Sequence, residues 1–199
     1  MRGACLLVAC LAIALGAASA QPGASTAEVA QARSLLDSWK GDPAPLTRAS
    51  AILDKVLESE PANVEAMKER ARLTIMRGYL REVTRDYRGH IYTVGSYLPG
   101  TLENAEAILL EALRIKPDFA EGYVLLGHVY VEREKPQEAA QALRKAESLG
   151  TDDPWLHLNW ASLHESRAEI AASRERWQRV IKQGTANEKG AVRLVLPRK

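Results

Sequence analysis

Residues 119–149 read FAEGYVLLGHVYVEREKPQEAAQALRKAESL. Tyr123, Leu126, Gly127 and Tyr130 fall on one face of a first helix, and Ala139, Leu143 and Ala146 fall on one face of a second. Pro136 stands where the second helix opens, a position at which proline sacrifices no helical hydrogen bond. Small residues on the facing sides let the two helices approach closely while the bulky ones fill the groove beside them. One such hairpin cannot bury its apolar face alone, so the reading depends on finding more of them.

A shift of 34 residues carries Leu126, Gly127, Tyr130, Ala139 and Leu143 onto Trp160, Ala161, His164, Ser173 and Trp177, so large positions stay large and small ones small. The reverse shift carries Ala139, Leu143 and Ala146 onto Ala105, Leu109 and Ala112, after which Pro117 closes the helix. An aromatic, then Leu-Gly, then Tyr, then Ala at this period is the pattern of the tetratricopeptide repeat, which residues 119–149 closely resemble. The resemblance implies an all-α fold, a right-handed α-solenoid of antiparallel helix hairpins.

An earlier copy, Ala49, Leu53, Val56 and Pro61, matches Ala105, Leu109, Ala112 and Pro117 at an offset of 56 rather than 34. The surplus of 22 must lie between a first helix carrying Met67 and Ala71 and a second that cannot start before Thr101. It therefore occupies residues 78–99, an insertion at the turn inside one repeat. The repeats run 30–63, 64–119, 120–153 and 154–187, with helices paired as 64–77 with 101–115, 120–133 with 136–148, and 154–167 with 170–183. Copy one is the poorest match: GDPAP at 41–45 breaks it, and its first helix shows only Leu35, Leu36 and Trp39 as apolar anchors. Asp118-Phe119-Ala120-Glu121 reads as a capping box, Asp153-Pro154 as an N-cap and first helical proline, and Gly150 and Gly184 as helix ends.

The termini carry other signals. Met1–Ala20 places Arg2 before an apolar run that ends in Ala18-Ser19-Ala20, the pattern of a cleaved secretory signal, so the mature chain is expected to begin at Gln21. Leu7-Val8-Ala9-Cys10 offers a rival route, acylation of Cys10 as in a bacterial lipoprotein. Both cysteines, Cys5 and Cys10, lie in this segment, so cleavage after Ala20 leaves neither disulfides nor thiolate chemistry. No later run reaches the ~20 apolar residues of a membrane span. Residues 21–29, small and polar, read as a disordered linker. The tail 188–199 carries Ala191, Val192, Leu194, Val195 and Leu196, an apolar strap that either caps the last repeat or pairs with a second copy or a partner.

Without Arg2, 26 basic residues face 25 acidic ones, and that balance makes no case for nucleic acid or an anionic membrane. No glycine-rich phosphate loop or GxSxG elbow occurs. His157 and His164 stand in the slots of Tyr123 and Tyr130 and read as packing side chains, and His128 faces the groove without a second ligand at helical spacing. No enzyme, metal or cofactor is expected. The resemblance instead implies a concave groove, lined by the first helices, that takes a protein or peptide partner. Its groove positions would be Glu65, Lys68, Glu69 and Arg72; Glu121, Val124, Leu125 and His128; and Trp155, Leu158, Asn159 and Ser162. The carboxylate-clamp subtype is set aside, because Val124 and His128 stand where it needs Lys and Asn. The insertion is a second surface, rich in Tyr79, Arg85, Tyr87, Arg88, His90, Tyr92 and Tyr97. Tyr and Arg dominate interface energetics, but the tyrosines also suit folding back onto the stack, and YLREVTRD suits a longer preceding helix. A periplasmic adaptor for assembly of an envelope complex fits this set of features, with a Cys10-anchored scaffold as the alternative.

Overall fold

The computed structural model describes residues 24–183 other than 87 and 90. Residues 1–20, read as a signal, Gly184, read as a helix end, and the tail 188–199, read as an apolar strap, lie outside that range. Eight helices are described, in the order α1 (Ala24–Asp37), α2 (Pro43–Ser59), α3 (Val64–Gly78), α4 (Thr101–Ile115), α5 (Ala120–Glu132), α6 (Pro136–Ser148), α7 (Pro154–Ser166) and α8 (Ile170–Gln183). Each odd-numbered helix packs on the one that follows it, and the first helices also touch in series, α1 with α3, α3 with α5 and α5 with α7. The result is an α-helical stack with one face made of first helices, and the three expected helix pairs each stand within a residue or so of their sequence boundaries.

Close approach is set by small residues at the expected positions. A Cβ on Gly127 would lie 2.5 Å from Leu143 Cδ2, so α5 and α6 cross with no room for a side chain. Ala71 joins Ala105 and Leu109 in one buried cluster, and Ala161 joins Trp177 and Val180 in another. Asp153 caps α7, accepting from Trp155 N at 3.0 Å, and Gly150 takes the left-handed conformation after α6. The Asp118 capping box does not form. Phe119 takes the N-cap position instead, with its ring buried beneath Gly122 and against Leu113, and the apolar burial fixes where α5 begins.

Copy one departs further from expectation. Ala24 to Val29, read as linker, belong to α1, and Val29, Ala32 and Leu36 bury against α2. GDPAP is not a break in the repeat. Asp42 accepts from Ala44 N at 2.9 Å as the cap of α2, and Pro43 occupies its first turn. The turn at 38–42 is two residues longer than those at 133–135 and 167–169, and α2 opens six residues before Ala49 where α6 opens three before Ala139; together these shift α1 out of the 34-residue register.

The insertion is a β-hairpin rather than a helical extension. Strands β1 (Tyr79–Arg85) and β2 (Ile91–Tyr97) pair antiparallel, Tyr79 opposite Tyr97 and Arg85 opposite Ile91. Alternating β-branched and polar residues suit a strand, and the α3 pattern ends at Gly78, where a Cβ would strike Thr101 at the start of α4. Asp86 Oδ1 accepts from Arg88 N at 2.8 Å and Gly89 adopts φ +85°, which together turn the chain.

Two turns repeat at 34 residues. Glu134 and Ala168 both adopt positive φ, 55° and 58°, and the next residue donates its N–H five residues back, Lys135 to Tyr130 O and Glu169 to His164 O. Glycine is the residue this cap prefers. Ala168→Gly is therefore expected to stabilise the fold by up to ~1 kcal/mol by relieving the left-handed strain, whereas Gly127→Leu should cost ~1–3 kcal/mol by overpacking on Leu143. Urea denaturation of the two variants checks both signs, and an unperturbed Gly127→Leu protein would contradict the close crossing.

Candidate binding groove

A cavity of about 810 Å³ runs along the first helices and takes side chains from α1, α3, α5 and α7. Nine of the twelve groove residues read from the sequence line it: Lys68, Glu69, Arg72, Glu121, Val124, Leu125, His128, Trp155 and Asn159. Glu65, Leu158 and Ser162 do not. Glu65 turns to Arg33, 2.9 Å away, Leu158 packs against the cluster of Ala161, Trp177 and Val180, and Ser162 is half-buried elsewhere. The cavity also takes Arg33, Leu36, Asp37 and Trp39 from α1 and the turn after it, and Ile75 and Met76 from α3, none of which sequence reading assigned to the groove.

Glu69 is the electrostatic centre of the α1–α3 wall. Its side chain has 0% exposure, and Oε1 accepts from Arg33 Nε at 2.7 Å and pairs with Lys68 Nζ at 3.0 Å. Arg72 stands 3.6 Å from Oε2 and reaches across to Asp37 at 2.7 Å. Burial pushes the Glu69 pKa up, but Lys68, Arg33 and Arg72 together outweigh it and hold the carboxyl below its ordinary value. The carboxylate is thus ionised while fully buried, which only a surrounding set of cations makes tolerable.

The α5–α7 wall is built differently. Asn159 Nδ2 donates to Val124 O at 3.0 Å and ties α7 to α5. The His128 ring meets Trp155 edge to face with centroids 6.4 Å apart. Desolvation lowers the His128 pKa against the opposing pulls of Glu132 and the hydrogen bond with Asn159, so the imidazole is neutral near pH 7. Trp155 keeps 42% of its surface exposed. Glu121 and Asp152 share this rim, and no ion pair is formed by either among the described residues.

His157 and His164 take packing roles. His164 stacks on Trp160 at 5.4 Å and pairs with Glu169, and half-buried His157 lies 3.3 Å from Arg176. Among the described residues no group of three or more His, Cys, Asp or Glu is placed to hold a metal ion. His90 and Tyr87, and the side chain of Tyr92, lie outside what the structure describes. In the hairpin, Tyr79 lies over Gly95 and meets Tyr97 at 5.5 Å, and Tyr97 packs on the α3–α5 core. Burial and a hydrogen bond with Glu132 push the Tyr97 phenol up. Arg85 and Arg88 are exposed, as are Val83 at 72% and Ile91 at 65%. The base of the insertion is thus internal packing, and its far end is surface.

Residues 120–149 match the model of the tetratricopeptide repeat. No curated protein matches the chain in sequence. Similar solved structures include TTC0263, a thermophilic protein of that repeat family from Thermus thermophilus, at 19% identity and a TM-score of 0.61, covering 87% of this chain and 79% of that one. The Thermobaculum terrenum O-GlcNAc transferase is similar at 19% identity and a TM-score of 0.57, over 79% of this chain and 26% of the enzyme. Human IFIT1, solved as a dimer with m7Gppp-AAAA, is similar at 16% identity and a TM-score of 0.59, over 80% of this chain and 32% of that one. At these identities the likeness is one of fold.

Acid should weaken this structure in two stages. His128 and His157 have pKa values depressed below the ordinary 6.5, so the unfolded chain takes up protons that the folded one refuses and stability declines as pH falls through about 6.5. Glu69, held below 4.5, keeps its contribution above that value and loses it as pH falls further. Melting temperature recorded from pH 8 to pH 3 should show both stages, and His128→Asn should shrink the first. A flat curve between pH 7 and pH 5 would contradict the assignment.

Proposed function

We propose that this chain, a tetratricopeptide-repeat protein, is an exported, non-enzymatic scaffold that holds a segment of a protein partner in the groove of its first helices. The observation that carries the reading is the cavity itself, about 810 Å³ in volume, to which α1, α3, α5 and α7 all contribute, with apolar side chains between paired charges. Stacked hairpins present this kind of extended surface because each repeat contributes one helix to the same face. Among the described residues that line the cavity there is no Ser or Cys nucleophile beside a base, and the first-helix face favours holding a partner over chemistry.

Export rests on the sequence of Met1–Ala20. Among the described residues no helix is long and apolar enough to cross a membrane. We place the mature protein in a bacterial periplasm, in assembly of an envelope complex, with anchoring through an acylated Cys10 as the second reading. Mass spectrometry of the purified mature chain separates the two: a Gln21 terminus is expected, and a diacylglyceryl Cys10 would move the protein to a membrane surface.

The groove is tested by photocrosslinking in cells. Benzoylphenylalanine placed at Trp155 or Leu125 should yield adducts with a partner, while the same group at Leu110, exposed on α4, should yield none. Adducts confined to Val83 would move the binding surface to the hairpin and overturn the groove assignment.

A further inference from the structure

The β-hairpin has two outer edges, and they differ in chemistry. Strand β1 carries Arg81, Glu82 and Arg85, whereas β2 and the residue after it, 91–98, carry no charge. The sheet has two strands, and among the described residues no backbone hydrogen bond from another element reaches either outer edge. Soluble proteins ordinarily guard such an edge with charge, proline or a covering segment. β1 is guarded by charge and β2 is not.

The register shows what β2 offers. Leu98 N–H donates to Gly78 O at 2.8 Å, which sets the phase of the ladder. Tyr92, Val94 and Ser96 therefore bond inward to β1, while Thr93 and Gly95 turn their backbone N–H and C=O outward, with Ile91 and Tyr97 in the same phase. Side chains alternate, so Leu80 and Val94 stand on one face and Val83 and Ile91 on the other, and all four are exposed. An uncharged edge flanked by exposed apolar side chains is a surface that takes another strand.

Charge decides which strand that is. Two copies related by a two-fold axis pair positions of the same parity, because residues opposite each other share a face of the sheet. Centred on Glu82, Val83 or Thr84, a pairing of β1 with its own copy sets Glu82 against Glu82, Arg81 against Arg85, or Glu82 against Asp86. Each brings like charges together, which is destabilising. A pairing of β2 with its own copy meets no charge. Centred on Val94, it sets Val94 against Val94, Thr93 against Gly95 and Ile91 against Tyr97, so the outward backbone groups bond across the axis and a β-branched side chain meets an aromatic one.

We propose that this chain forms a two-fold dimer through β2, its occupant being the β2 of a second copy, in a four-stranded antiparallel sheet ordered β1, β2, β2, β1. The antiparallel pairing sends the two helical stacks to opposite ends of the sheet. Both outer edges of that sheet are β1, and their charges stop growth at two copies. The inference goes beyond the groove and does not depend on it.

Sedimentation velocity of the purified chain over a concentration series tests it. The chain should show the mass of two copies when concentrated and of one on dilution, since an interface of one strand pair lies at the weak end of the range. Val94→Lys and Val94→Glu, each placing like charges opposite one another on the axis, should each raise the midpoint concentration at least ~tenfold. Mixing the two variants one to one should bring the dimer back, a rescue that a merely misfolded hairpin cannot give. Arg81→Glu, on the far strand, should leave the midpoint where it was. A single-chain mass at every concentration, a dimer that survives both Val94 variants, or growth past two copies would overturn the proposal. None of these results touches the groove reading, which stands or falls on the crosslinks at positions 125 and 155.

Discussion

A carboxylate with no solvent exposure sits between the first two inner helices, and the geometry of the groove follows from how its burial is compensated. Taking an ionised Glu69 out of water costs several kcal/mol, and removing one partner of such a buried pair is expensive again because it strands the rest. Arg33 reaches from α1 to Glu69 and Glu65 together, Lys68 closes from the side, and Arg72 links Glu69 back to Asp37 of α1. The crosslinks run in both directions between α1 and α3. They fix the first helix at a definite angle to the stack while Val29, Ala32 and Leu36 anchor its other face on α2. Without that network α1 would keep its apolar seam but lose the contacts that make it a wall of the cavity.

The same network neutralises the wall it builds, and this links stability to the character of the groove. Local charges cancel, the apolar wall continues through Ile75, Met76, Val124 and Leu125, and uncompensated acid gathers at the far rim beside Trp155. The hairpin stands apart from this arrangement. A two-stranded ribbon is marginal by itself, and here its root is held by Tyr79 on Tyr97, by Tyr97 on the α3–α5 core and by its bond with Glu132.

How much of this was legible follows from which features are periodic. Gly127, Ala71 and Ala161 could be read because a close helix crossing demands a small residue at the same place in every repeat, and the 34-residue shift exposes it. The mismatch between 56 and 34 located the insertion, but its strand structure lay in a two-residue alternation too short to separate from an extended helix. Helix α1 was obscured because a turn two residues longer and an α2 that opens three residues early moved it out of register, which hid Arg33, Asp37 and Trp39 as groove residues. The burial of Glu69 was out of reach for the same reason: a glutamate on a groove face looks solvated until the cations from the neighbouring helix are known. Asp118 misled because its capping pattern was sound locally and lost to the burial of Phe119, a contact that exists only in the stack.

The central claim, that the inner face of first helices is where this protein holds its partner, is tested most directly by hydrogen exchange with a bound groove ligand. Amides in α1, α3, α5 and α7 should slow together when the ligand is added, while α4, α6 and the hairpin exchange as before. Protection concentrated in β1 and β2, or spread over the second helices with the inner face unchanged, would contradict it.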